Sequence, residues 1–304
     1  MNKLNIFMKM VQVKKYKIDF INIDLNDTQL IIYIRLFVVK MNIQITDPTK
    51  CEILTSIFQN MKLFSDNINI MLEHERMFIQ SMDSGHVSII ELNIPNTWFN
   101  KYHHLNERKN ITIGINTITL FKILSTREKS QNIEINYDIE NSDKFSINFT
   151  SDDKSVFDKQ FSVPLMDLDI DTLTIPEMEY QAEFSLSSAN FSNLMNQLKL
   201  FGDTMGIECS EEKIQLSSES IELGKMSVEI NIDDLNSFAI DEGEKLELSF
   251  SLNHLYNVAQ FHKLSKQVEL KFSNNYPMKI LYYLGDDNTY ISFYIAPKIN
   301  DNDD

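Results

Sequence analysis

The amino-acid sequence predicts an α+β fold made of two copies of one unit, each carrying two helices among alternating strands. Three observations support this. First, Lys62-Leu63-Phe64-Ser65-Asp66 returns as Lys199-Leu200-Phe201-Gly202-Asp203, an offset of 137 residues. Second, the stretches that these motifs close share their apolar positions, with Leu54, Ile57, Phe58 and Met61 answering Phe191, Leu194, Met195 and Leu198. That i, i+3, i+4, i+7 spacing marks one buried helix face. Third, 304 residues divide into two domains of ordinary size, about 120 to 150 residues each.

Taken along the chain, the first copy offers a helix over Pro48–Ser65, a shorter one over Asn116–Thr126 and an alternating strand over Asn132–Tyr137. The second copy offers helices over Ser187–Leu200 and Ser251–Leu264 and a strand over Glu269–Ser273. Between the two helices of each copy, Glu91-Leu92-Asn93-Ile94 answers Glu229-Ile230-Asn231-Ile232 with a slip of one residue. A fixed-offset repeat of this kind is read as a duplicated structural unit. Residues 1–40 stand outside the repeat, with seven basic and three acidic residues, and Met41 begins the first unit. A second Met at the start of a complete unit is what an over-long reading frame would give, and the extension is read that way in preference to an added basic arm.

Composition excludes several function classes. Seven glycines, with no GxGxxG and no Walker loop, leave no cradle for nucleotide phosphates, so no cofactor is expected. Cys51 and Cys209 form no metal or disulfide framework, which suits a reducing compartment. The run Leu30–Val39 contains Arg35 and is too short to span a bilayer, so a soluble, intracellular chain with no membrane partner is expected. Neither GxSxG nor HExxH occurs, and no enzyme activity is expected. Asp167, Asp169 and Asp171 alternate as carboxylates gathered for a hard metal would, but lack the turn glycine and the glutamate of a calcium loop. They are read as a solvated acidic face, and a metal-dependent hydrolase is kept only as a remote alternative. His74, His103 and His104 lack ligand partners at metal spacing and are read as surface residues.

A net charge of −16 argues against a protein that coats nucleic acid with its general surface. The charge is nevertheless partitioned. The four helical segments hold one acidic residue, Glu52, against Lys50, Lys62, Lys122, Lys199 and Lys263. Their faces away from the apolar stripe carry Thr55, Ser56, Gln59, Asn60, Asn193, Asn196 and Gln197. Such a polar surface without carboxylates suits an anionic neighbour, and contacts from Lys, Asn, Gln and Ser to phosphate position a protein on DNA without reading its sequence.

Between the copies, Leu165 to Tyr180 reads LMDLDIDTLTIPEMEY. Pro176 and the acids disfavour a helix, while Leu173, Ile175 and Tyr180 are too regular for a solvated tether; an extended segment lying across a surface is expected. This stretch resembles the interdomain connecting loop of the eukaryotic sliding clamps, the proliferating cell nuclear antigen family. Gln80-Ser81-Met82-Asp83-Ser84-Gly85-His86-Val87 is similar to that family's early loop, and Phe293-Tyr294-Ile295-Ala296-Pro297-Lys298-Ile299 to its C-terminal tail. The likeness runs over residues 41–300.

The resemblance implies the DNA-clamp fold, with unit 1 over 41–162, a connecting loop over 163–180, unit 2 over 181–300 and an acidic tail over 301–304. It implies a homotrimer closing head to tail as a pseudo-sixfold ring, helices inward, through edge strands at Ser155–Val163 and Ile221–Ile230. It further implies a processivity factor that encircles double-stranded DNA, tethers DNA polymerase and other proteins bearing clamp-binding peptides, and needs an ATP-dependent clamp loader. The DNA-binding set is then Lys50, Lys62, Lys122, Arg127, Lys199 and Lys263. Polar residues stand at other inner basic positions of the family (Ser125, Asn193, Asn196 and Gln260), and Glu107 precedes Arg108-Lys109 in the stretch associated with DNA. The partner pocket is Met82, His86, Val87, Leu173, Ile175, Pro176, Tyr180, Pro277, Tyr294, Ala296, Pro297 and Ile299. The nucleus is the implied compartment, with a cytoplasmic replication compartment as alternative. A non-encircling polymerase accessory factor or a checkpoint-clamp subunit of the same fold is the alternative function.

Overall fold

The computed structural model describes residues 40–104, 110–138, 144–169 and 172–298. The extension read over 1–40 falls, but for Lys40, outside the described residues, as does the 301–304 tail. The first unit runs β1 (Lys40–Ile45), α1 (Pro48–Met61), β2 (Asn67–Leu72), β3 (Arg76–Met82), β4 (Ser88–Pro95), β5 (Lys101–His103), β6 (Ile111–Asn116), α2 (Thr117–Leu124), β7 (Asn132–Asp138), β8 (Lys144–Thr150) and β9 (Lys159–Pro164). The second repeats that order: β10 (Ala182–Ser187), α3 (Ser188–Leu198), β11 (Thr204–Cys209), β12 (Ile214–Ser220), β13 (Gly224–Ile230), β14 (Ser237–Ile240), β15 (Leu246–Ser251), α4 (Leu252–Ala259), β16 (Gln267–Phe272), β17 (Met278–Tyr283) and β18 (Tyr290–Ile295).

Sheet order repeats as well. The sequence β5-β1-β7-β8-β9 recurs as β14-β10-β16-β17-β18, and β4-β3-β2-β6 recurs as β13-β12-β11-β15. Two of these four arrays fuse. Strand β18 pairs antiparallel with β4, from Tyr290 opposite Asn93 to Ile295 opposite Ser88, making one nine-stranded sheet that crosses from unit to unit. Their counterparts β9 and β13 end the other two sheets, with no neighbour on that side among the described residues. Phe64, Phe261 and Phe293 lock the seam, with ring centroids 4.9 to 6.0 Å apart. Such tilted and edge-on aromatic pairs add to simple burial.

The helices form where the periodicity places them but end sooner. Pro48 sits in the first turn of α1, where no amide is needed, and the Asp47 carboxylate caps the amides of Thr49 (2.8 Å) and Lys50 (3.4 Å). Asn116 caps α2 through the amide of Thr119 at 2.9 Å. Helix α4 stops at Ala259 and continues as a 3-10 turn over Gln260–Lys263. Leu54, Ile57, Phe58 and Met61 are buried beneath α1, and Phe191, Met195 and Leu198 beneath α3, whereas Leu194 is only partly buried at the core margin. The edge strands also begin later than expected, because Asp153 draws Ser155 into a turn before β9 and residues 221–223 form the turn before β13. No described helix is long and apolar enough to cross a membrane.

Candidate functional site

Helices α1 and α2 pack together, as do α3 and α4. The two pairs join where Asn60 Nδ2 donates to the Gln260 carbonyl at 3.0 Å. None of the four helices carries an acidic residue in its first turn, the place where the helix dipole most favours one. The lysines differ in what they touch. Lys62 and Lys122 are exposed, and so is Lys263. Lys62 Nζ stands 4.7 Å from the Phe121 ring centre, and Lys199 Nζ stands 4.2 Å from Tyr256. These are the same pair in both units, a residue just after the longer helix resting on the fifth residue of the shorter one. Cation–π attraction of this kind holds a flexible ammonium without neutralising it. Lys50 and Arg127 are engaged elsewhere. Lys50 Nζ donates to the Trp98 carbonyl at 2.5 Å, and Arg127 Nη1 closes its own turn on the carbonyls of Glu128, Lys129 and Gln131. Glu107, Arg108 and Lys109 lie outside the described residues.

The opposite face of the nine-stranded sheet carries the connecting segment. Register aligns one row of side chains across it: Glu183, Lys271, Lys279, Tyr294, Ile89 and Met82, each paired with the next on the neighbouring strand. Met82 and Tyr294 thus come together from residues 212 apart in the chain, joined by Ile89, which the sequence reading missed. The tail turns alongside the early loop, with the Ala296 amide on the Val87 carbonyl at 2.9 Å. The connecting segment is tied down at three points. The Met166 amide donates to the Gly114 carbonyl (2.9 Å), Asn69 Nδ2 to the Leu168 carbonyl (3.2 Å), and Gln80 makes a reciprocal pair with the backbone of Leu173 (2.6 and 2.9 Å). Held this way, Leu173 and Pro176 stay exposed, Ile175 and Tyr180 half-buried. Pro277 and His86 are exposed, Met82, Val87, Ala296 and Pro297 half-buried, and Ile299 lies outside the described residues.

The early loop has an organiser that the sequence did not reveal. The Asp83 carboxylate accepts the amides of Gly85 (2.8 Å), Val87 (2.9 Å) and Ser88, together with the Ser88 hydroxyl at 2.9 Å. Burial alone would push this carboxyl up, but the bonds from Ser88 and Gly85 outweigh it and hold the group below its usual range. The loop pinned in this way puts His86 at φ 56°, a left-handed conformation that most side chains avoid. His254 of α4 approaches from the second unit, with Nε2 3.4 Å from Asp83 Oδ2.

Asp167 and Asp169 are exposed, as a solvated face should be, and Asp171 lies outside the described residues. Cys51 and Cys209 are buried free thiols, and burial pushes Cys209 up to about 11, which makes it a poor nucleophile.

A duplicated nine-strand, two-helix unit with polar helices on one face and a strapped-down connector on the other defines a two-unit DNA clamp. Residues 47–173 match the N-terminal domain of proliferating cell nuclear antigen and residues 174–298 its C-terminal domain. The proliferating cell nuclear antigen of Chaetomium thermophilum is 27% identical over 259 residues, spanning 84% of this chain and 97% of that protein. The chain belongs to the proliferating cell nuclear antigen family. It is a sliding clamp, a processivity factor for DNA polymerase, and nothing in these matches points to the hydrolase alternative.

Proposed function

We propose that three copies of this chain close head to tail into a ring around duplex DNA. The carrying observation is the β18–β4 seam within the chain beside β9 and β13, whose outer edges have no partner among the described residues. Because β9 and β13 are the counterparts of β18 and β4, the same joint repeats between chains and propagates one rotation around a ring, as a heterologous interface does when it closes. The internal repeat supplies the register. Phe201 repeats Phe64 at the 137-residue offset, and Phe161 stands opposite Ile147 of β8 as Phe293 stands opposite Ile280 of β17, so the inter-chain joint brings Phe161 of one copy near Phe201 of the next. Both rings are half-buried in the single chain, and so are Met226, Val228 and Ile230, the inward residues of β13.

In such a ring Lys62, Lys122, Lys199 and Lys263 face the DNA, while Lys50 and Arg127 act in the scaffold. Weak phosphate contacts suffice, because topology prevents sideways dissociation. The clamp performs no catalysis of its own, works on chromosomal DNA in the nucleus, and is opened by an ATP-dependent loader. The pocket between the early loop, the connector and the tail takes the clamp-binding peptides of polymerases and other replication proteins. Light scattering over a range of concentrations tests the ring. The mass of a trimer is expected for the full chain, and that of a monomer for Phe161→Glu. A monomeric parent chain would refute encirclement and favour the non-encircling accessory factor.

A further inference from the structure

Next to Tyr294 the outer face of the sheet carries two lysines in direct register, Lys271 on β16 and Lys279 on β17. Their surroundings are unequal. Lys271 Nζ is clasped by Glu183 at 2.8 Å and Glu269 at 2.6 Å. Lys279 has no carboxylate within 4.0 Å among the described residues, and its Nζ lies 5.5 Å from the centroid of the Tyr294 ring. Both lysines line a cleft of about 410 Å³ whose walls include Met178 and Tyr180 of the connector and Ile240 of β14. The cleft adjoins the partner pocket, with Tyr180 lining the one and belonging to the other. Its lining mixes Met178, Tyr180, Ala239 and Ile240 with Gln181, Glu179, Glu183 and Asp241, and of its two lysines Lys279 is the one that no described carboxylate contacts.

We propose that Lys279 recognises an acidic side chain in the peptides that dock beside Tyr294, an inference that rests on the pocket reading above. The chemistry follows from the asymmetry. Glu183 and Glu269 are spent on Lys271, and Asp241 follows β14, three strands from Lys279 across the sheet. Glu91, Glu269 and Glu177 act on Lys279 only from beyond ion-pair distance, so among the described residues a carboxylate in direct contact has to come from a partner. Burial and the neighbouring Lys271 already hold the Lys279 ammonium below its usual range, so an incoming carboxylate restores what the free protein lacks. An ammonium paired with carboxylate inside a partly dry cleft makes the stronger, charge-assisted kind of hydrogen bond. This adds a charge criterion to a pocket that, by the family resemblance, takes a short partner motif through its Gln and aromatic residues.

The test uses the full chain and short amidated peptides bearing a Gln and an aromatic pair, with Glu or Gln placed in turn at each flanking position. Affinity is read by fluorescence anisotropy. At one position Glu is expected to bind about tenfold tighter than Gln, and the preference should shrink as salt rises. Lys279→Gln should erase the preference while leaving the Gln peptide's affinity unchanged, and Lys279→Arg should keep it. Equal binding of Glu and Gln peptides at every position overturns this inference alone, as does a preference that survives Lys279→Gln. Binding by none of the peptides overturns the pocket reading, and this inference with it. A preference that appears only when the peptide end is left as a free carboxylate also refutes the side-chain assignment.

Discussion

Gly114→Ala tests whether the connecting segment is strapped to the sheet as described. A Cβ at this position would lie 2.2 Å from the Met166 carbonyl oxygen and 3.0 Å from Leu168 Cγ. Gly114 is not in the left-handed region, so alanine fits its backbone and the whole effect falls on the connector. To reach ordinary contact the Met166 backbone must withdraw by about 1 Å. That breaks the bond from the Met166 amide to the Gly114 carbonyl and weakens the one from Asn69 to Leu168. At about 1 kcal/mol for each, detachment becomes easier by about 2 kcal/mol, or roughly thirtyfold in the population of the open segment. Hydrogen exchange at residues 165–169 should accelerate by about that factor, while the midpoint of global unfolding moves little because no core side chain changes. Peptide affinity should fall several-fold, since the exposed Leu173 is presented by the same strap. Unchanged exchange at these amides would refute the close approach and the reasoning built on it.

Asp83→Ala removes the acceptor of four bonds in the early loop and should destabilise the protein by roughly 3 kcal/mol in urea unfolding at neutral pH. Because the folded-state pKa of Asp83 lies below its unfolded value, its contribution is present above the unfolded pKa and is lost as pH falls through the folded one. The gap between parent and variant should therefore hold at neutral pH and close in acid, below about pH 4; a gap independent of pH would show that the carboxylate charge is irrelevant. Phe121→Ala combined with Tyr256→Ala releases Lys62 and Lys199 from their rings, at about 0.5 to 1 kcal/mol each. DNA affinity of the loaded clamp should drop about two- to fivefold with little loss of thermal stability, and unaltered affinity would remove both rings from any positioning role. Leu173→Ala with Ile175→Ala should abolish polymerase stimulation while the oligomer mass stays constant, and normal stimulation would dismiss the pocket.

Much of the architecture was legible because it is written in local periods. The four helices announce themselves through i, i+3, i+4 stripes, and their missing carboxylates are a property of composition that needs no coordinates. The duplication, too, is visible as a fixed offset, since each copy must bury the same faces. The extended character of the connector followed from Pro176 and its spacing of apolar residues. Pairing between distant strands is different, because its register is chosen by the packing of the whole molecule. That choice decides that β18 joins β4, that Met82 and Tyr294 share a row through Ile89, and that Gly114 must lack a side chain where the connector crosses it. It also separates residues that look alike in one dimension. Lys50 and Arg127 satisfy backbone carbonyls whereas Lys62 and Lys199 rest on aromatic rings; Lys271 holds two carboxylates in contact while its neighbour Lys279 contacts none among the described residues. Composition counts these side chains as equivalent cations. Only the fold, by bringing partners from far along the chain, sets which charges are already answered and which remain open to a ligand.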